Sequence, residues 1–352
     1  MPDQHNTPRA EGMQERLVFI PTLDALSEFH APPRPPAPDA TLYEFAGETM
    51  GTSWQVKAYL NLACPPSYIE SGIAQVLALV VQEMSPWENN SDLCKFNRAP
   101  VGSTYSLPAA FSEVMACALR LAQQTHAAYN PCIAKLTQLW GFGPAGKITV
   151  LPSPDQISTA KKESDWTALQ FDVSTKTLIR NAPVEIDLCS IAKGYAVDLV
   201  ADFLLKEKLT SFLVEVGGEL KAHGIKADCQ AWWVECEGIP EQSKTNNIVA
   251  LIDHAIASSG DYRRYTELNG KNYSHTIDPR TGLPIQHGLA CVTVIHRQCM
   301  WADALATAFC VMGLEEGMAF ANQYAYAAQF IQRTEHGVSE HYSQALATML
   351  DV

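Results

Sequence analysis

The chain has 352 residues, of which 47% are hydrophobic and 18% charged, and its 25 basic and 38 acidic residues give a net charge of −13. This composition is typical of a globular protein and excludes a largely disordered chain, a collagen-like chain and a coiled coil. An acidic surface repels polyphosphate backbones, so we expect no nucleic-acid partner, although a small phosphate-bearing ligand held through a bound cation stays compatible with this charge.

The ten cysteines have the pattern of buried, reduced thiols rather than of a metal or disulfide framework. No pair forms C-x-x-C, and most lie in apolar runs. This usage favours a reducing compartment, and residues 1–21 lack the basic start and apolar run of a secretory signal. No stretch approaches the roughly 18 uninterrupted apolar residues that a membrane helix needs. We therefore expect a cytoplasmic protein without a transmembrane segment.

The first 40 residues differ in composition from the rest of the chain. We expect residues 1–40 to form a proline-rich N-terminal extension, extended and solvated over residues 31–40, and residues 41–352 to form the main folded domain. Within the extension, residues 17–29 are amphipathic enough to dock on the body of the protein.

From residue 41 onward, strands and helices mix without strict alternation. In chain order, the pattern predicts two strands over 41–60 that break at Gly47 and Gly51, helices over 68–84 and 108–125, a hairpin over 166–179, a helix over 191–207, strands over 212–216, 248–258 and 289–296, helices over 302–312 and 315–323, and a strand over 327–332. We therefore predict an α+β fold with mixed, largely antiparallel sheets and packed helices, in two closely associated halves.

The predicted helix after residue 301 presents an acid and an alcohol on one face. Asp303 and Thr307 are four residues apart, and hard oxygen ligands of this kind suit Mg²⁺, which leaves room for substrate phosphates. The alternative is structural: an acid near a helix N-terminus and a threonine bonded back to a carbonyl group.

A second pattern is the polar turn that opens the predicted helix over 191–207. Asp187 and Ser190 precede this helix, whose free N–H groups form a natural seat for a diphosphate. Lys193 adds a cation where the helix dipole alone would prefer an acid. The alternative is an ordinary cap by Asp187 or Ser190 with a solvated lysine.

Three further patterns are weaker. Gly217 and Gly218 end a strand and either admit a ligand close to the backbone or form a bulge. His275 precedes the turn Asp-Pro-Arg-Thr-Gly (278–282) and can accept a proton near neutral pH, although a lone histidine is usually structural. Trp87 and the segment WGFGP (140–144) can stack on a flat heterocycle, but aromatic residues are more often part of the core.

Taken together and in this order, these segments resemble the FAD:protein FMN transferase family, the ApbE-like flavin transferases. The resemblance spans about residues 43–331 and does not cover the first 40 residues. The matching segments are Met50-Gly51-Thr52, MSPWENNSDLCKFN (84–97), YNPCIAKLTQLWGFG (129–143), DLCSIAKGYAVD (187–198), VEVGGEL (214–220), SSGDY (258–262), YSHTIDPRTGLP (273–284) and ADALAT (302–307).

The resemblance implies an activity, its partners and its site. FAD is split at its diphosphate, FMN is joined to a Thr or Ser hydroxyl of an acceptor flavoprotein, AMP is released, and Mg²⁺ is required. The implied metal ligands are Asp303, Thr307 and the backbone carbonyl near Ser190. His275 is the implied general base, and Lys193 shares the charge of the diphosphate. The implied FAD-binding residues are Met50, Trp87, Asn97, Ala128, Tyr129, Asn130, Asp187, Lys193 and Ile277.

The chain departs from the family pattern at several positions. Asn130 replaces a usual Asp and cannot act as a carboxylate, and Trp87 replaces a common Tyr. Two other functions stay open at this point, the second of them because of Asn130. One is an FAD pyrophosphatase that passes FMN to water, and the other is a non-catalytic FAD-binding protein.

Overall fold

The computed structural model describes residues 17–21, 33–239, 247–261, 265–268 and 270–350. Its largest sheet contains β2 Thr41–Thr49, β3 Thr52–Leu60, β7 Phe212–Val216, β8 Glu219–His223, β11 Ala255–Gly260, β16 Leu289–His296, β17 Ala327–Thr334 and β18 Gly337–Tyr342. The strand order within the described residues is β18-β17-β16-β11-β8-β7-β3-β2, and every neighbouring pair is antiparallel.

Smaller sheets and hairpins surround this central sheet. One sheet contains β1 Val18–Phe19, β9 Trp232–Glu235 and β10 Ile248–Leu251, and another contains β4 Thr104–Ser106, β5 Leu169–Asp172 and β6 Thr177–Arg180. Two hairpins are formed by β12 Tyr265–Leu268 with β13 Lys271–Ser274 and by β14 Ile277–Asp278 with β15 Leu283–Pro284. Only the pairing of β1 with β10 is parallel among the described strands, which confirms the predicted α+β class with largely antiparallel sheets.

The described helices are α1 Pro66–Met84, α2 Asp92–Arg98, α3 Ala109–Gln124, α4 Ala134–Leu139, α5 Pro154–Lys162, α6 Ala192–Lys206, α7 Cys299–Gln323 and α8 Gln344–Ala347, with a short 3₁₀ helix at Trp166–Ala168. α7 is long and apolar enough to cross a membrane by length and composition, but 61% of its most apolar stretch is buried inside the protein. A core helix meets the same criterion.

The central sheet separates two hydrophobic layers. Alternate residues of β11 illustrate this arrangement, because Ala255 and Ala257 join a core formed with α1, α3, α6 and α7, whereas Ile256 joins a second core on the other face. The second core also contains Phe19 of β1, which is fully buried. Side-chain alternation in a strand therefore allows one sheet to support a helical layer and a small sheet.

Two predicted boundaries are wrong for identifiable reasons, and a third is confirmed. β2 runs through Gly47 without a break, and the only interruption between β2 and β3 is the turn at Met50-Gly51. The predicted strand over 248–258 is two strands in different sheets, because residue Asp253 adopts a positive φ of 55° between them. The two helices predicted over 302–312 and 315–323 are confirmed as the two parts of α7, which meet at a kink at Gly313, where φ is 78°.

The N-terminal extension is partly docked on the body. Val18 pairs with Ile248, and the Ile20 N–H donates to the Met349 carbonyl at 2.6 Å. The remainder of the predicted amphipathic segment, residues 22–29, lies outside the described residues.

Candidate functional site

Helices α6 and α7 approach each other closely where Asp303 lies. A Cβ atom on Gly194 would be 2.4 Å from the Cys299 carbonyl oxygen and 2.8 Å from the Asp303 Cβ, so only glycine permits this contact. The Gly194 N–H, in the first turn of α6, donates to the Asp303 carboxylate at 3.0 Å. Asp303 is 3% exposed, so α7 places a buried carboxylate at the N-terminus of α6.

Lys193 lies next to this carboxylate and forms an ion pair with Glu219. Glu219 follows the turn at Gly217-Gly218 and begins β8. A Cβ atom on Gly217 would be 2.8 Å from the Thr52 methyl and 3.2 Å from the Lys193 Cδ, so this turn needs glycine for space as well as for its positive φ. The Glu219 side chain is 3% exposed, whereas that of Lys193 is 30% exposed and reaches solvent.

The three charges shift one another's pKa values. Burial, followed by the negative charge of Asp303, raises the pKa of Glu219 although Lys193 acts in the opposite direction. Burial also raises the pKa of Asp303, against the effects of Lys193 and the Gly194 N–H. Burial alone would lower the pKa of Lys193, but the two carboxylates outweigh it and raise that pKa. The raised pKa values of Glu219 and Asp303 show that the single charge of Lys193 does not offset the burial of both carboxyl groups.

Thr307 and Ser190 lie beside the charged cluster on separate elements. Thr307 is one helical turn after Asp303 on α7, and its hydroxyl is 3.0 Å from the Ser259 hydroxyl of β11. Ser190 ends the turn before α6, where its hydroxyl opposes the rise in the pKa of the buried Tyr129 that desolvation causes. The charges of Asp303 and Asp187 also act on Tyr129, so the predicted metal ligands and this tyrosine share one region.

The residues of this region fit a hard divalent cation. Glu219 Oε2 is buried and has no hydrogen-bond partner among the residues that the structure describes. The nearby donors are carboxylate and hydroxyl oxygens, which suit Mg²⁺. No group of three or more His, Cys, Asp or Glu residues within the described ranges is arranged to hold a metal by itself. Such a site matches an ion that takes few protein ligands and completes its shell with water and phosphate oxygens.

A cavity of about 170 Å³ lies beside the turn before α6. Asn97 and Asp187 both line it, together with Pro86, Gly143 and Pro144. The Asn97 side-chain amide pairs with both backbone groups of Ile186, at 2.9 and 2.8 Å, and so holds the strand-like segment that leads to Asp187. The Asp187 carboxylate accepts the Cys189 N–H at 2.8 Å and shapes the turn.

The residues of the predicted segment 128–130 are buried beneath the site. Ala128 and Tyr129 are each 1% exposed, and Asn130 is 7% exposed. The Asn130 amide donates to the Ser164 carbonyl at 2.8 Å and accepts the Cys132 N–H at 2.8 Å, so both of its polar groups are used within the protein. Asparagine therefore has a structural reason to occupy this position.

Met50 and Trp87 lie on two separate turns. Met50 is half-buried and has a φ of 50°, which is rare for a side-chain-bearing residue, in the turn that precedes Thr52. Thr52, two residues after Met50, lies against the Gly217 turn that Lys193 also approaches. Trp87 follows the cavity residue Pro86 and is 53% exposed, so its indole face is open to a ligand.

His275 and Ile277 belong to a segment held by aromatic residues. Trp140 donates its indole N–H to the Gly282 carbonyl at 2.9 Å and stacks on Tyr273 with ring centroids 5.7 Å apart. His275 meets the edge of Phe142, with ring centroids 6.2 Å apart. Ile277 is 3% exposed and packs beside Trp140, so its side chain supports this segment.

The structure therefore arranges the predicted residues in two linked groups. Lys193, Asp303, Thr307 and Ser190 surround the N-terminus of α6, and His275 with Ile277 lies on the aromatic segment beyond the cavity. Phe142, which contacts His275, directly precedes Gly143 and Pro144, which line the cavity together with Asp187. Glu219 was not among the predicted site residues, although it follows the paired glycines that the sequence does show.

The fold is that of the ApbE flavin transferases. The family model described as "ApbE family" matches residues 50–331, and the chain belongs to this family.

Named relatives cover nearly the whole chain. The FAD:protein FMN transferase of Vibrio cholerae is 34% identical over 341 residues, covering 96% of this chain and 99% of the relative. The enzyme of the same name from Haemophilus influenzae is 33% identical and covers 89% and 93%. The apo structure of the flavinyl transferase ApbE from Pseudomonas stutzeri matches with a TM-score of 0.82 and 35% identity, covering 88% of this chain and 97% of that one.

Proposed function

We propose that this protein transfers the FMN part of FAD to a Thr or Ser hydroxyl of an acceptor flavoprotein and releases AMP. Membership of the ApbE family and relatives named FAD:protein FMN transferase support FMN transfer to a protein. The structural observation that carries the proposal is the buried Asp303 carboxylate beside Lys193 at the N-terminus of α6. This arrangement suits a diphosphate whose charge increases as the bond between its two phosphates breaks.

The chain's own residues can bind and orient the dinucleotide. The Lys193 ammonium group would bind diphosphate oxygens. The predicted seat of free N–H groups is not available at the start of α6, because the Ala192 and Gly194 N–H groups donate to Leu188 and Asp303. The cavity beside Asn97 and Asp187 is smaller than the roughly 300–1,000 Å³ of ordinary ligand pockets, so it would take only one end of FAD. The exposed face of Trp87 would stack on a heterocycle at its rim.

We also propose that the site uses Mg²⁺. Asp303, Thr307 and the backbone carbonyl near Ser190 would hold the ion, with Glu219 close by. When bound, Mg²⁺ would supply neutralisation of the charge that develops on the diphosphate. The buried Asp303 carboxylate, with the Thr307 hydroxyl one helical turn later, supports this part of the proposal.

In the transfer step, the acceptor hydroxyl attacks the phosphorus of the FMN half. The new P–O bond joins FMN to the acceptor, the bond to the AMP phosphate breaks, and the hydroxyl proton passes to a base. His275 would accept this proton, because the aromatic segment holds it beside the loop that lines the cavity.

The test is incubation of the purified protein with FAD, Mg²⁺ and a candidate acceptor flavoprotein. We expect flavin fluorescence on the acceptor that survives denaturing electrophoresis, together with stoichiometric AMP. Fast AMP release without an acceptor would indicate a pyrophosphatase. Stoichiometric FAD binding without AMP release would indicate a binding protein.

His275→Ala separates binding from transfer. We expect the variant to bind FAD as the wild type does and to transfer FMN roughly 10²–10⁴-fold more slowly, since it lacks the base. FAD binding is measured by equilibrium titration and transfer by in-gel fluorescence. A wild-type transfer rate in this variant would exclude His275 as the base.

We further propose that the protein acts in the cytoplasm. All ten cysteines are free thiols, as a reducing compartment allows. Fractionation of cells that express the full chain, followed by immunoblotting, tests this location, and recovery outside the cytoplasmic fraction would contradict it.

A further inference from the structure

The ammonium group of Lys193 has two buried carboxylates within its electrostatic reach. Glu219 accepts a hydrogen bond from it, and Asp303 raises its pKa through charge alone. Asp303 directs its hydrogen bond to the Gly194 N–H instead. The lysine is therefore bound by the carboxylate of β8 and not by the carboxylate of α7.

This choice of partner matters for the proposed chemistry. A lysine ammonium bound directly to Asp303 would neutralise that carboxylate and occupy the position of a cation. The observed pair leaves Asp303 with its negative charge and leaves the Lys193 side chain 30% exposed.

The burial and hydrogen bonding of Glu219 indicate a role beyond packing. It is 2% exposed, it lies directly after two glycines with positive φ, and its Oε2 has no hydrogen-bond partner among the described residues. Burial of a carboxylate with one unpaired oxygen costs stability, so a structural purpose would be served better by an apolar side chain.

We propose that Glu219 is a positioning residue that holds Lys193 away from Asp303, so that Asp303 stays available to a divalent cation and Lys193 stays available to the diphosphate. This inference rests on the proposed function, because it assigns a task to a residue of the same site. Glu219 then acts through Lys193 and does not itself bind the cation.

The role predicts a specific pattern in a double-mutant cycle. In Glu219→Gln, Lys193 loses its anionic partner and moves to Asp303. The Mg²⁺ concentration that gives half of the maximal increase in unfolding temperature should therefore rise about tenfold or more. In Lys193→Met, no ammonium competes for Asp303. Adding Glu219→Gln to Lys193→Met should therefore leave the Mg²⁺ requirement unchanged.

The experiment measures the binding of Mg²⁺ or Mn²⁺ in the absence of FAD and acceptor, so its result does not depend on turnover. Thermal unfolding of the full chain is followed as MgCl₂ is titrated, and Mn²⁺ binding is followed by electron paramagnetic resonance. Glu215→Gln is the matched control, because Glu215 at the end of β7 accepts the Gly218 N–H of the same turn at 2.9 Å, whereas the ion pair of Lys193 is with Glu219. We expect this control to keep the wild-type Mg²⁺ dependence.

These measurements distinguish a positioning role of Glu219 from direct binding of the cation. An equal loss of Mg²⁺ binding in both backgrounds would show that Glu219 is a direct ligand and would overturn the positioning role. Unchanged Mg²⁺ binding in folded Glu219→Gln would overturn it as well. If the wild type shows no Mg²⁺-dependent change while Glu219→Gln still lowers transfer, the proposed metal site fails. If Glu219→Gln does not fold, Glu219→Asp replaces it, with a smaller rise in the Mg²⁺ requirement expected.

Discussion

Asp303 joins two helices and carries a charge, and these two tasks can be separated by one substitution. Its carboxylate accepts the Gly194 N–H, which is one of the donors that helix α6 cannot satisfy internally. An asparagine can still accept this N–H, but it cannot neutralise a cation. The two tasks therefore predict different effects on folding and on transfer.

Asp303→Asn should keep the fold and lose most of the activity. We expect the transfer rate to fall by about 10²–10³-fold, the size expected for loss of one electrostatic group at a reacting centre. Asp202→Asn is the control, because Asp202 is an exposed acid on α6. Transfer is measured by in-gel fluorescence and folding by circular dichroism. Full activity in folded Asp303→Asn would remove the metal assignment.

Element α7 depends on a cap that comes from another helix. Asp198 of α6 accepts the Cys299 and Met300 N–H groups at 3.0 and 2.9 Å, and it also pairs with Lys221 at 2.6 Å. No side chain of α7's own N-cap residue performs this task. The same helix therefore carries Lys193 and fixes the start of the helix that carries Asp303.

Asp198→Ala should destabilise the protein by about 3 kcal/mol, because it leaves two helix N–H groups and a partly buried lysine without their acceptor. The free energy of unfolding is measured by urea titration. Asp202→Ala on the exposed side of α6 should change it by less than about 0.5 kcal/mol. Equal effects of the two substitutions would contradict the capping role.

Helix α3 has a similar cap with a measurable pH dependence. Glu83 of α1 is 5% exposed and accepts the Phe111 N–H in the first turn of α3 at 2.9 Å. Burial raises its pKa, although the Phe111 N–H acts in the opposite direction. The folded protein therefore holds this proton more tightly than the unfolded chain does.

Neutral Glu83 stabilises the fold below the ordinary carboxyl pKa, and this contribution is lost as the pH rises through the raised pKa. We expect Glu83→Gln to gain stability relative to the wild type as the pH rises from about 4 to 7. Urea unfolding across this range measures the difference. The exposed Glu70→Gln on the same helix should give a curve parallel to the wild type, and a parallel curve for Glu83→Gln would contradict the raised pKa.

At the scale of the whole molecule, the two ends of the described chain meet on the face of the sheet opposite to α6 and α7. Phe19 packs in the second core with Trp232 and Leu346, and the neighbouring Ile20 binds the backbone of Met349. The N-terminal strand therefore contributes to stability without reaching the charged cluster.

Phe19→Ala should cost about 3–5 kcal/mol of stability, because it removes a fully buried aromatic side chain. Below the unfolding temperature, we expect the transfer rate per folded molecule to match the wild type. Ile20→Ala, at a side chain that is 40% exposed, should cost far less. A loss of transfer in folded Phe19→Ala would show that the two faces of the sheet are coupled.

The local pattern of the sequence predicted much of this structure. The four-residue spacing of Asp303 and Thr307 was enough to place them on one helix face, and the apolar period was enough to predict α1, α3 and α6 to within a few residues. These properties depend on neighbouring residues alone, so they can be read without the fold. The turn at Met50-Gly51 between β2 and β3 was also predictable from neighbouring residues. The break predicted at Gly47 was wrong, because Gly47 pairs with Trp54 of β3 and β2 continues through it.

Only the tertiary structure decided which charges meet. Lys193 and Glu219 are 26 residues apart, and Gly194 and Asp303 are 109 apart, so no local period relates them. The sequence by itself determined that an acid, an alcohol and a lysine stand at helix positions suited to phosphate chemistry. The fold determined which carboxylate binds the lysine and which stays free, because that depends on how closely two glycines let separate elements approach.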